Sequence, residues 1–367
     1  MEIKTLTPAQ LQVFIQADEF KTMPVVPIST HRALSHIANP RVEAGDVIMI
    51  LAHEEGRMVG YLGVLADRIY TATDSYKCGW LSCMWVDPTL RGKGIAKQLL
   101  ATAFTNWNNH ILVTEFTPEA KGLYDRSKNF DALKSNAGLR CFMRFNLHQV
   151  LINKKPQLKP LKSALKLADG FANSFNMLRL LVAKPNTESA INWQPVKEVD
   201  NGIENFISRY QTNTLEKRGP AELNWILKYP WLKVSPPTDE SKRYHFSSVA
   251  NEFKNLCFAG YNASNKIVAF VFFSLRDGHL KIPYAYFSEE QTAGVVAKVY
   301  EVMLAEKANM LTVFHPLLVT HFSDNNTPFI YKRPIQRNYI ITKALSQHFV
   351  SKDNIAIQDG DADCAFT

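Results

Sequence analysis

The order of the predicted elements restricts the fold more than any other feature of this chain. Residues 46–56, 57–70 and 77–88 are β-rich runs separated by turn residues, which predicts an antiparallel meander. An amphipathic helix at 94–107 and a short buried strand at 110–118 follow directly. This order predicts a parallel strand pair beside the meander, with a crevice at the strand ends.

The second half repeats that order of elements. Three β-rich runs at 256–262, 266–278 and 279–288 precede a helix at 292–308 and a strand at 309–316. The repeat lies in element order, whereas the residues differ. We therefore predict an α+β protein, an α/β/α sandwich built as two domains in tandem with mixed central sheets, over residues 1–150 and 191–345. A chain of 367 residues also exceeds what one core usually supports.

Composition excludes several classes of protein. Hydrophobic residues make up 46% of the chain, yet no segment approaches the roughly 18 uninterrupted apolar residues of a membrane span. The first twenty residues contain acids and lack an apolar run before a cleavage site, so we expect no secretory signal and a cytoplasmic protein. The five cysteines are scattered and form no CxxC pair, which predicts core positions and neither a disulfide framework nor a metal site.

Residues 151–190 form a predicted basic helical linker. Between 151 and 185 there are seven bases and one acid, so most of the +8 net charge is local. Prolines bracket a helical pattern that places Leu161, Leu165, Phe171, Phe175 and Leu178 near one face.

We interpret this segment as an interdomain helix that packs its apolar stripe on both cores. The alternative is a basic amphipathic helix, through residues 161–182, that lies on an anionic membrane or on nucleic acid. No aromatic residues are interleaved with the bases as a stacking platform requires, so we do not expect nucleic acid as a partner.

Residues 86–96 contain the most informative motif, Val-Asp-Pro-Thr-Leu-Arg-Gly-Lys-Gly-Ile-Ala. The run follows a predicted strand and opens a predicted helix, where unpaired N–H groups and the helix dipole favour a phosphate. Gly92 and Gly94 remove the Cβ atoms that would keep a diphosphate off the backbone, and Arg91 and Lys93 add positive charge. The run predicts a pyrophosphate cradle. It is not a P-loop, because no Gly-Lys-Ser/Thr sequence is present.

With Arg91, Gly94 and Ala96 at the three defining positions of (R/Q)-x-x-G-x-(G/A), the chain resembles the GNAT superfamily of N-acetyltransferases from about residue 46 to 147. The resemblance implies an acyl-CoA N-acyltransferase fold with acetyl-CoA as cosubstrate and no metal. It implies that a strand splayed from its neighbour pairs with pantetheine and polarises the thioester carbonyl through backbone groups. The implied cofactor-binding residues are Met84, Trp85, Val86, Arg91, Gly92, Lys93, Gly94, Ile95 and Ala96.

Residues 118–130 resemble the family's second signature, A-x-x-x-Y-x-x-x-G-F. Ala120, Tyr124 and Phe130 are in register, whereas Asn129 replaces the glycine. By this resemblance Tyr124 is the acid that protonates the departing CoA thiolate, because a phenol keeps its proton at pH 7. The alternative is that Tyr124 only packs against the cofactor.

An amine acceptor must lose a proton before it attacks. Glu115, late in the predicted fifth strand, is the candidate base. The alternatives are a water chain, with Glu115 simply facing solvent, or one of the histidines His31, His36 and His53. We expect the polar segment 27–41 to form a lid that meets the acceptor.

The second half lacks the cofactor motif. Residues 285–294 contain no R-x-x-G-x-(G/A), and Glu289 and Glu290 stand where a diphosphate would need positive charge. We therefore predict that 191–345 is a degenerate GNAT-like copy that no longer binds CoA. It would shape the acceptor site or form a pseudo-dimer with the first half of a monomer, and a homodimer is the other possibility.

Two further segments of the second half have simple interpretations. We expect Trp193, Trp225, Tyr229 and Trp231 to be core residues. The run Asp359-Gly360-Asp361 imitates a calcium loop without its later glutamate, so residues 346–367 are predicted to be a solvated acidic tail.

Together these features predict an acetyltransferase that moves an acetyl group from acetyl-CoA to an amine by direct attack in a ternary complex. The class of amine acceptor stays open. The alternatives are transfer of another acyl or aminoacyl group, or a non-catalytic CoA-binding or interaction module.

Overall fold

The computed structural model describes residues 1–183, 189–324, 327–352 and 354–366. The chain divides into two compact units. Unit 1 contains residues 1–136, 197–253 and 337–367, and unit 2 contains residues 137–196 and 254–336. Residues 184–188 of the predicted linker, and residues 353 and 367 of the predicted tail, lie outside the described residues.

Strands occur in both units, as the sequence predicted. They are β1 (Glu2–Leu6), β2 (Met49–Glu54), β3 (Arg57–Tyr70), β4 (Ser75–Val86), β5 (Ile111–Thr114), β6 (Phe130–Phe142), β7 (Asn192–Val196), β8 (Lys233–Val234), β9 (Val249–Ala250), β10 (Phe253–Tyr261), β11 (Ile267–Arg276), β12 (His279–Phe287), β13 (Met310–Val313) and β14 (Tyr331–Thr342).

The α-helices are mostly short. They are α1 (Pro8–Gln16), α2 (Asp18–Thr22), α3 (Thr30–Ile37), α4 (Ile95–Asn106), α5 (Pro118–Ser127), α6 (Leu147–Lys154), α7 (Lys162–Ala183), α8 (Asn201–Ile207), α9 (Pro220–Lys228), α10 (Asp239–Arg243), α11 (Thr292–Ala305), α12 (Pro316–Asp324) and α13 (Lys343–Ser346).

Unit 1 is built on a mixed sheet in the order β1-β2-β3-β4-β5-β14. Neighbouring strands are antiparallel except β4 and β5, which are parallel. Alternate residues of β2 and β3 enter two different cores, as the two-residue period of a strand requires. Ile50 and Leu62 pack with Leu99 of α4 on one face, whereas Leu51 packs with Leu11 of α1 on the other. Unit 1 is therefore an α/β/α sandwich.

Unit 2 contains a second mixed sheet. Its order runs from the end of β6 through β13, β12, β11 and β10 to β7. Strands β12 and β13 are parallel, whereas β13 and β6 are antiparallel. The core joins this sheet to α11 and α12 through residues such as Val299, Met303 and Leu318. The predicted α+β class with mixed central sheets is thus confirmed.

The individual elements also match the sequence pattern closely. The predicted strand 57–70 is β3 itself, and the predicted helices 94–107 and 292–308 correspond to α4 and α11. The order of three antiparallel runs, a helix and a parallel strand occurs in both halves of the chain. That the second half is a copy of the first stays a prediction.

The compact units are interleaved along the chain, unlike the consecutive ranges 1–150 and 191–345. Strand β6 begins in unit 1 and ends in unit 2, where residues 139–142 pair with β13. Strand β14 begins in unit 2 and ends in unit 1, where residues 339–341 pair with β5. Each sheet is therefore completed by a strand from a distant part of the chain.

The prediction that the linker helix buries its apolar stripe is wrong. Along α7 the exposed side chains include Leu167, Phe171, Phe175 and Leu178. Asp169 and Asn176, which are polar, are buried instead. The reason is that unit 2 needs hydrogen-bond partners for the backbone at residues 143–148, and α7 supplies them.

The prediction of a solvated acidic tail is also wrong. Asp359 and Asp361 are only 4% and 0% exposed. Asp359 pairs with the buried Arg337, and Phe366 stacks on Trp231 with ring centroids 4.5 Å apart. Buried guanidinium groups need carboxylate partners, so the acids of this segment lie inside unit 1 rather than in solvent. Trp225 and Trp231 are core residues, as predicted.

Candidate active site

A crevice opens in unit 1 where β4 and β5 separate. Their parallel pairing, within residues that the structure describes throughout, consists of Gly79 with Ile111 and Trp80 with Leu112. Residues 81–86 of β4 continue along β3 on the other side. The edge of β4 that faces away from β3 therefore has backbone N–H and C=O groups without a strand partner in this part of unit 1.

A bulge sits at the start of this free edge. The register between β3 and β4 shifts between Gly63–Ser82 and Tyr61–Trp85, and Cys83 has a positive φ of 58°. A bulge turns the strand locally and redirects the residues that follow it. Met84, Trp85 and Val86, the predicted pantetheine-binding residues, come directly after it and are half-buried.

The turn after β4 is held in place by Asp87. Its carboxylate accepts hydrogen bonds from the backbone N–H and the hydroxyl of Thr89, at 2.9 and 2.7 Å, and pairs with Arg57 at 2.5 Å. The N–H of Asp87 donates to the carbonyl of Val59 on β3. These contacts anchor the first half of the turn on the sheet, so residues 91–94 leave it in a defined direction.

Gly92 and Gly94 have the geometry that a phosphate cradle needs. Their φ angles are +86° and +83°, a region that residues with a side chain rarely adopt. A Cβ atom added at either glycine would meet no heavy atom within 4 Å. The space next to both residues is open, and only glycine leaves it open.

The start of α4 faces this space without a side-chain cap. Gly94 is the N-cap residue, and no side chain of the described residues caps it. Gly94 has no side-chain oxygen that could accept a hydrogen bond, so the N–H groups of Ile95 and Ala96 stay available to a ligand. Helix α4 is twelve residues long, and its dipole adds partial positive charge at this end.

Charged side chains complete the cradle. Arg91 and Lys93 are both exposed beside the two glycines. Hydrogen bonds at the start of α5 lower the pKa of Glu119, and the nearby Arg91 guanidinium lowers it further. Arg91 therefore lies within electrostatic reach of the helix that carries Tyr124. The open glycines, the uncapped helix start and the two bases fit a diphosphate.

Tyr124 lies in the hydrophobic core next to the crevice. It is buried in the same cluster as Ile95, and Met84 and Val86 pack against that cluster. Its ring contacts those of Phe116 and Phe130, with centroids 5.9 and 5.3 Å away. Burial raises the pKa of Tyr124 to about 12. The phenol therefore keeps its proton at neutral pH, as a proton donor must, although it becomes a weaker acid.

Glu115 follows β5 directly and has a positive φ of 51°. Its carboxylate is half exposed and pairs with Arg337 at 2.6 Å. Arg337 also pairs with Asp359. A base that is held by a guanidinium must loosen that ion pair in order to take the proton of the amine.

The histidines and the predicted lid belong to the body of unit 1. Residues Thr30–Ile37 form α3, in which Arg32 and His36 are buried. His36 stacks on Trp231 with centroids 5.2 Å apart, and burial holds its pKa well below the usual range. His53 lies on β2, and burial lowers its pKa as well. A lid that opens at 27–41 would have to break these contacts.

The structure places one polar cluster at the crevice that the sequence did not reveal. Arg32 of α3 donates to the Cys83 thiol at 2.7 Å, to the Tyr244 hydroxyl at 3.2 Å and to the Ser82 hydroxyl at 2.5 Å. Asp363 lies 3.7 Å from the same guanidinium. These residues come from four distant segments, so no spacing in the sequence could have grouped them. They hold the bulge of β4 in place.

The corresponding turn in unit 2 is closed. Gly294 lies in the first turn of α11, and a Cβ atom there would come within 2.5 Å of the Ile191 side chain and 2.8 Å of the Ser189 hydroxyl. Glu289 and Glu290 immediately precede the helix. Strands β12 and β13 separate as β4 and β5 do, since their parallel pairing in the described residues spans only residues 279–281 and 310–312.

Comparison with known families identifies the first of these two regions. Residues 45–128 match the family described as Acetyltransferase (GNAT) domain. This range contains β2 to β5, the cradle and Tyr124. The chain therefore contains a GNAT acetyltransferase domain, and the resemblance found in the sequence is confirmed. No curated protein sequence matches the chain.

Solved structures with a similar fold extend over nearly the whole chain. A GCN5-related N-acetyltransferase from Anabaena variabilis ATCC 29413 is 12% identical, with a TM-score of 0.51 over 93% of this chain and 72% of that one. A conserved protein from Enterococcus faecalis V583, titled a probable N-acyltransferase, is 10% identical, with a TM-score of 0.52 over 94% and 73%.

The N-myristoyltransferase of Saccharomyces cerevisiae, solved with bound myristoyl-CoA, is 11% identical, with a TM-score of 0.52 over 93% of this chain and 78% of that one. At such identities the likeness shows the fold alone. The GNAT domain and this fold together support an acyltransferase. Within the described residues we find no group of three or more His, Cys, Asp or Glu side chains that could hold a metal ion.

Proposed function

We propose that this protein is an N-acetyltransferase that transfers an acetyl group from acetyl-CoA to an amine. The observation that carries the proposal is the open, uncapped start of α4, where Gly92 and Gly94 leave space beside Arg91 and Lys93. A diphosphate there receives backbone N–H groups, the helix dipole and two positive side chains. The GNAT domain match over residues 45–128 supports the same assignment.

The free edge of β4 supplies the second part of the site. Pantetheine would pair with backbone groups at Met84, Trp85 and Val86, as an added strand pairs with a sheet edge. An N–H group of this edge would donate to the thioester oxygen and stabilise the negative charge that develops there. The rigid bulge at Cys83, held by Arg32, fixes the direction of these groups before the substrate binds.

The transfer needs no covalent enzyme intermediate. The neutral amine attacks the carbonyl carbon, a C–N bond forms and the C–S bond breaks. Tyr124 gives its proton to the departing sulfur, and the attacking nitrogen loses its proton to a base. Because the pKa of Tyr124 is about 12, we expect its proton to move only as the C–S bond breaks and the sulfur gains charge.

Glu115 is the proposed base, and Arg337 would keep its carboxylate oriented until the amine binds. A water molecule relaying the proton to Glu115 would satisfy the same geometry. We expect Glu115→Gln to lower kcat more at low pH than at high pH, because at high pH more of the amine is already neutral.

The experiment that tests the proposal is a thiol-release assay with acetyl-CoA across small amines, aminosugars, peptide N-termini and lysine peptides. Product masses would show an increase of one acetyl group. Longer acyl-CoA donors, including myristoyl-CoA, belong in the same panel because they test the length of the acyl group that is transferred. Tight binding of acetyl-CoA without thiol release from any acceptor would favour a CoA-binding module instead.

A further inference from the structure

Helix α7 of unit 2 presents an apolar face to solvent. Leu167, Phe171, Phe175 and Leu178 are 77%, 71%, 62% and 59% exposed. Their spacing of four, four and three residues places all four on one side of the helix. We call these four residues the outer face of α7. Isolated apolar residues are ordinary on a surface, whereas a continuous stripe of large ones marks an interaction site.

The opposite side of α7 packs on unit 2, with Leu180 in its hydrophobic core and polar side chains bound to its backbone. The carboxylate of Asp169 accepts from the N–H groups of Leu147 and His148 and from the His148 ring, each at 2.8 Å. Asn173 exchanges two hydrogen bonds of 2.8 Å with the backbone of Phe145, and Asn176 donates to the carbonyl of Met143.

These contacts fix the rotation of α7 about its own axis. Turning the outer face inward would bury four large apolar side chains, but it would also leave the backbone groups at residues 143–148 without the side chains of Asp169 and two asparagines as partners. An unpaired buried polar group costs roughly 1–3 kcal/mol, so the observed rotation is strongly set. The polar contacts of α7 therefore determine that its outer face points to solvent.

The exposed charges of this segment have one sign. Between residues 155 and 180 the exposed charged side chains are all basic: Lys155, Lys159, Lys162, Lys166 and Arg179. The single acid in this range, Asp169, is buried and paired with His148. A second copy of the helix would bring these like charges together, which opposes self-association. An anionic lipid surface with an apolar interior complements both the basic charge of the segment and the apolar outer face.

We propose that α7 is a membrane-surface helix that docks this protein on anionic lipid bilayers. The outer face enters the boundary between headgroups and acyl chains, and the basic side chains between residues 155 and 179 attract the protein to the negative lipid surface. The polar side of α7 stays bound to unit 2, so the helix lies parallel to the membrane surface. Of the helices within the described residues, none has the length and apolarity to cross a bilayer.

Vesicle sedimentation of the full chain tests the proposal. We expect binding to vesicles of phosphatidylcholine with 30 mol% phosphatidylglycerol, and weaker binding to phosphatidylcholine alone. Phe171→Ser with Phe175→Ser should lower the partition coefficient about tenfold or more, since both side chains lose their apolar contact with lipid. Val13→Ser, at an exposed apolar position on α1 of unit 1, is the matched control and should leave binding unchanged.

The charge contribution has its own control. Replacing four lysines of the segment with glutamine (Lys155, Lys159, Lys162 and Lys166) should weaken binding to the anionic vesicles only. The same change in net charge at four other exposed lysines (Lys228, Lys233, Lys242 and Lys266) should have little effect.

Four results would overturn the proposal. These are no binding to anionic vesicles, equal binding by the phenylalanine double variant, a dimer in light scattering that the double variant dissociates, and binding of single-stranded RNA that removes the protein from vesicles. Thiol release from acetyl-CoA in solution should be the same in every α7 variant, so failure of this proposal is distinguishable from failure of the proposed function.

Discussion

The starts of α4 and α11 differ although the elements around them are the same. Each helix follows the last strand of an antiparallel run and precedes a short parallel strand. At α4 two left-handed glycines face open space beside Arg91 and Lys93. At α11 the chain itself, through Ser189 and Ile191, covers Gly294, and two glutamates precede the helix.

The comparison teaches that a fold alone does not make a cofactor site. Both crevices have a splayed strand pair and a helix that begins nearby. What differs is whether the helix start is accessible and which charge surrounds it, and both differences rest on a few residues. The predictions that follow change these residues one group at a time.

The largest effect is expected at Gly94. In Gly94→Val a branched side chain occupies the diphosphate position and strains a φ of +83°. Loss of two charge-assisted hydrogen bonds, at roughly 1.5–3 kcal/mol each, predicts about a 10³-fold weaker Kd for acetyl-CoA. Isothermal titration calorimetry measures this change.

Gly56→Val is the matched control for backbone strain. Gly56 has a φ of +79° and open space around its missing Cβ, but it lies in the turn between β2 and β3. Both variants should lose a similar amount of thermal stability, and only Gly94→Val should lose affinity. Equal losses of affinity in the two variants would mean that strain, rather than the cradle, explains the effect.

The next effect concerns the proposed acid. Tyr124→Phe should lower kcat about 10²-fold, the lower end of what a general acid contributes, and should leave the Kd for acetyl-CoA nearly unchanged. Tyr300→Phe is the matched control, because Tyr300 is also buried between two phenylalanines but belongs to unit 2. Steady-state kinetics of both variants decides the case, and a full rate in Tyr124→Phe would reduce Tyr124 to a packing role.

A smaller effect is expected for the exposed charge of the cradle. Arg91→Ala should weaken acetyl-CoA binding about tenfold at low ionic strength and less in high salt, because exposed charges are screened. Arg91→Lys should recover part of the affinity. The Kd at two salt concentrations checks this prediction, and a salt-independent loss would point to a structural rather than an electrostatic role.

The smallest effect is expected in unit 2. Glu289→Lys with Glu290→Lys reverses the charge before α11, yet the helix start stays covered by Ile191 and Ser189. The number of acetyl-CoA molecules bound per chain should therefore remain one. Appearance of a second calorimetric site would show that charge alone had kept the cofactor out of this unit.

The sequence predicted the elements and the cradle well because both depend on local patterns. A β-rich run bounded by turn residues marked β3 over its full length, and the Arg-x-x-Gly-x-Ala run marked the start of α4. The Arg32 cluster escaped prediction because its members come together only through the tertiary fold. The buried tail and the outward face of α7 were missed for a related reason, since tertiary partners such as Arg337 and the backbone near Phe145 determine which face is buried.

The central claim is that acetyl-CoA binds at the start of α4 and not at the start of α11. Amide hydrogen exchange with and without acetyl-CoA tests it most directly. We expect slower exchange at residues 92–97 and along 84–86, with no change at 291–296. Unchanged exchange at 92–97, or protection at 291–296, would contradict the account.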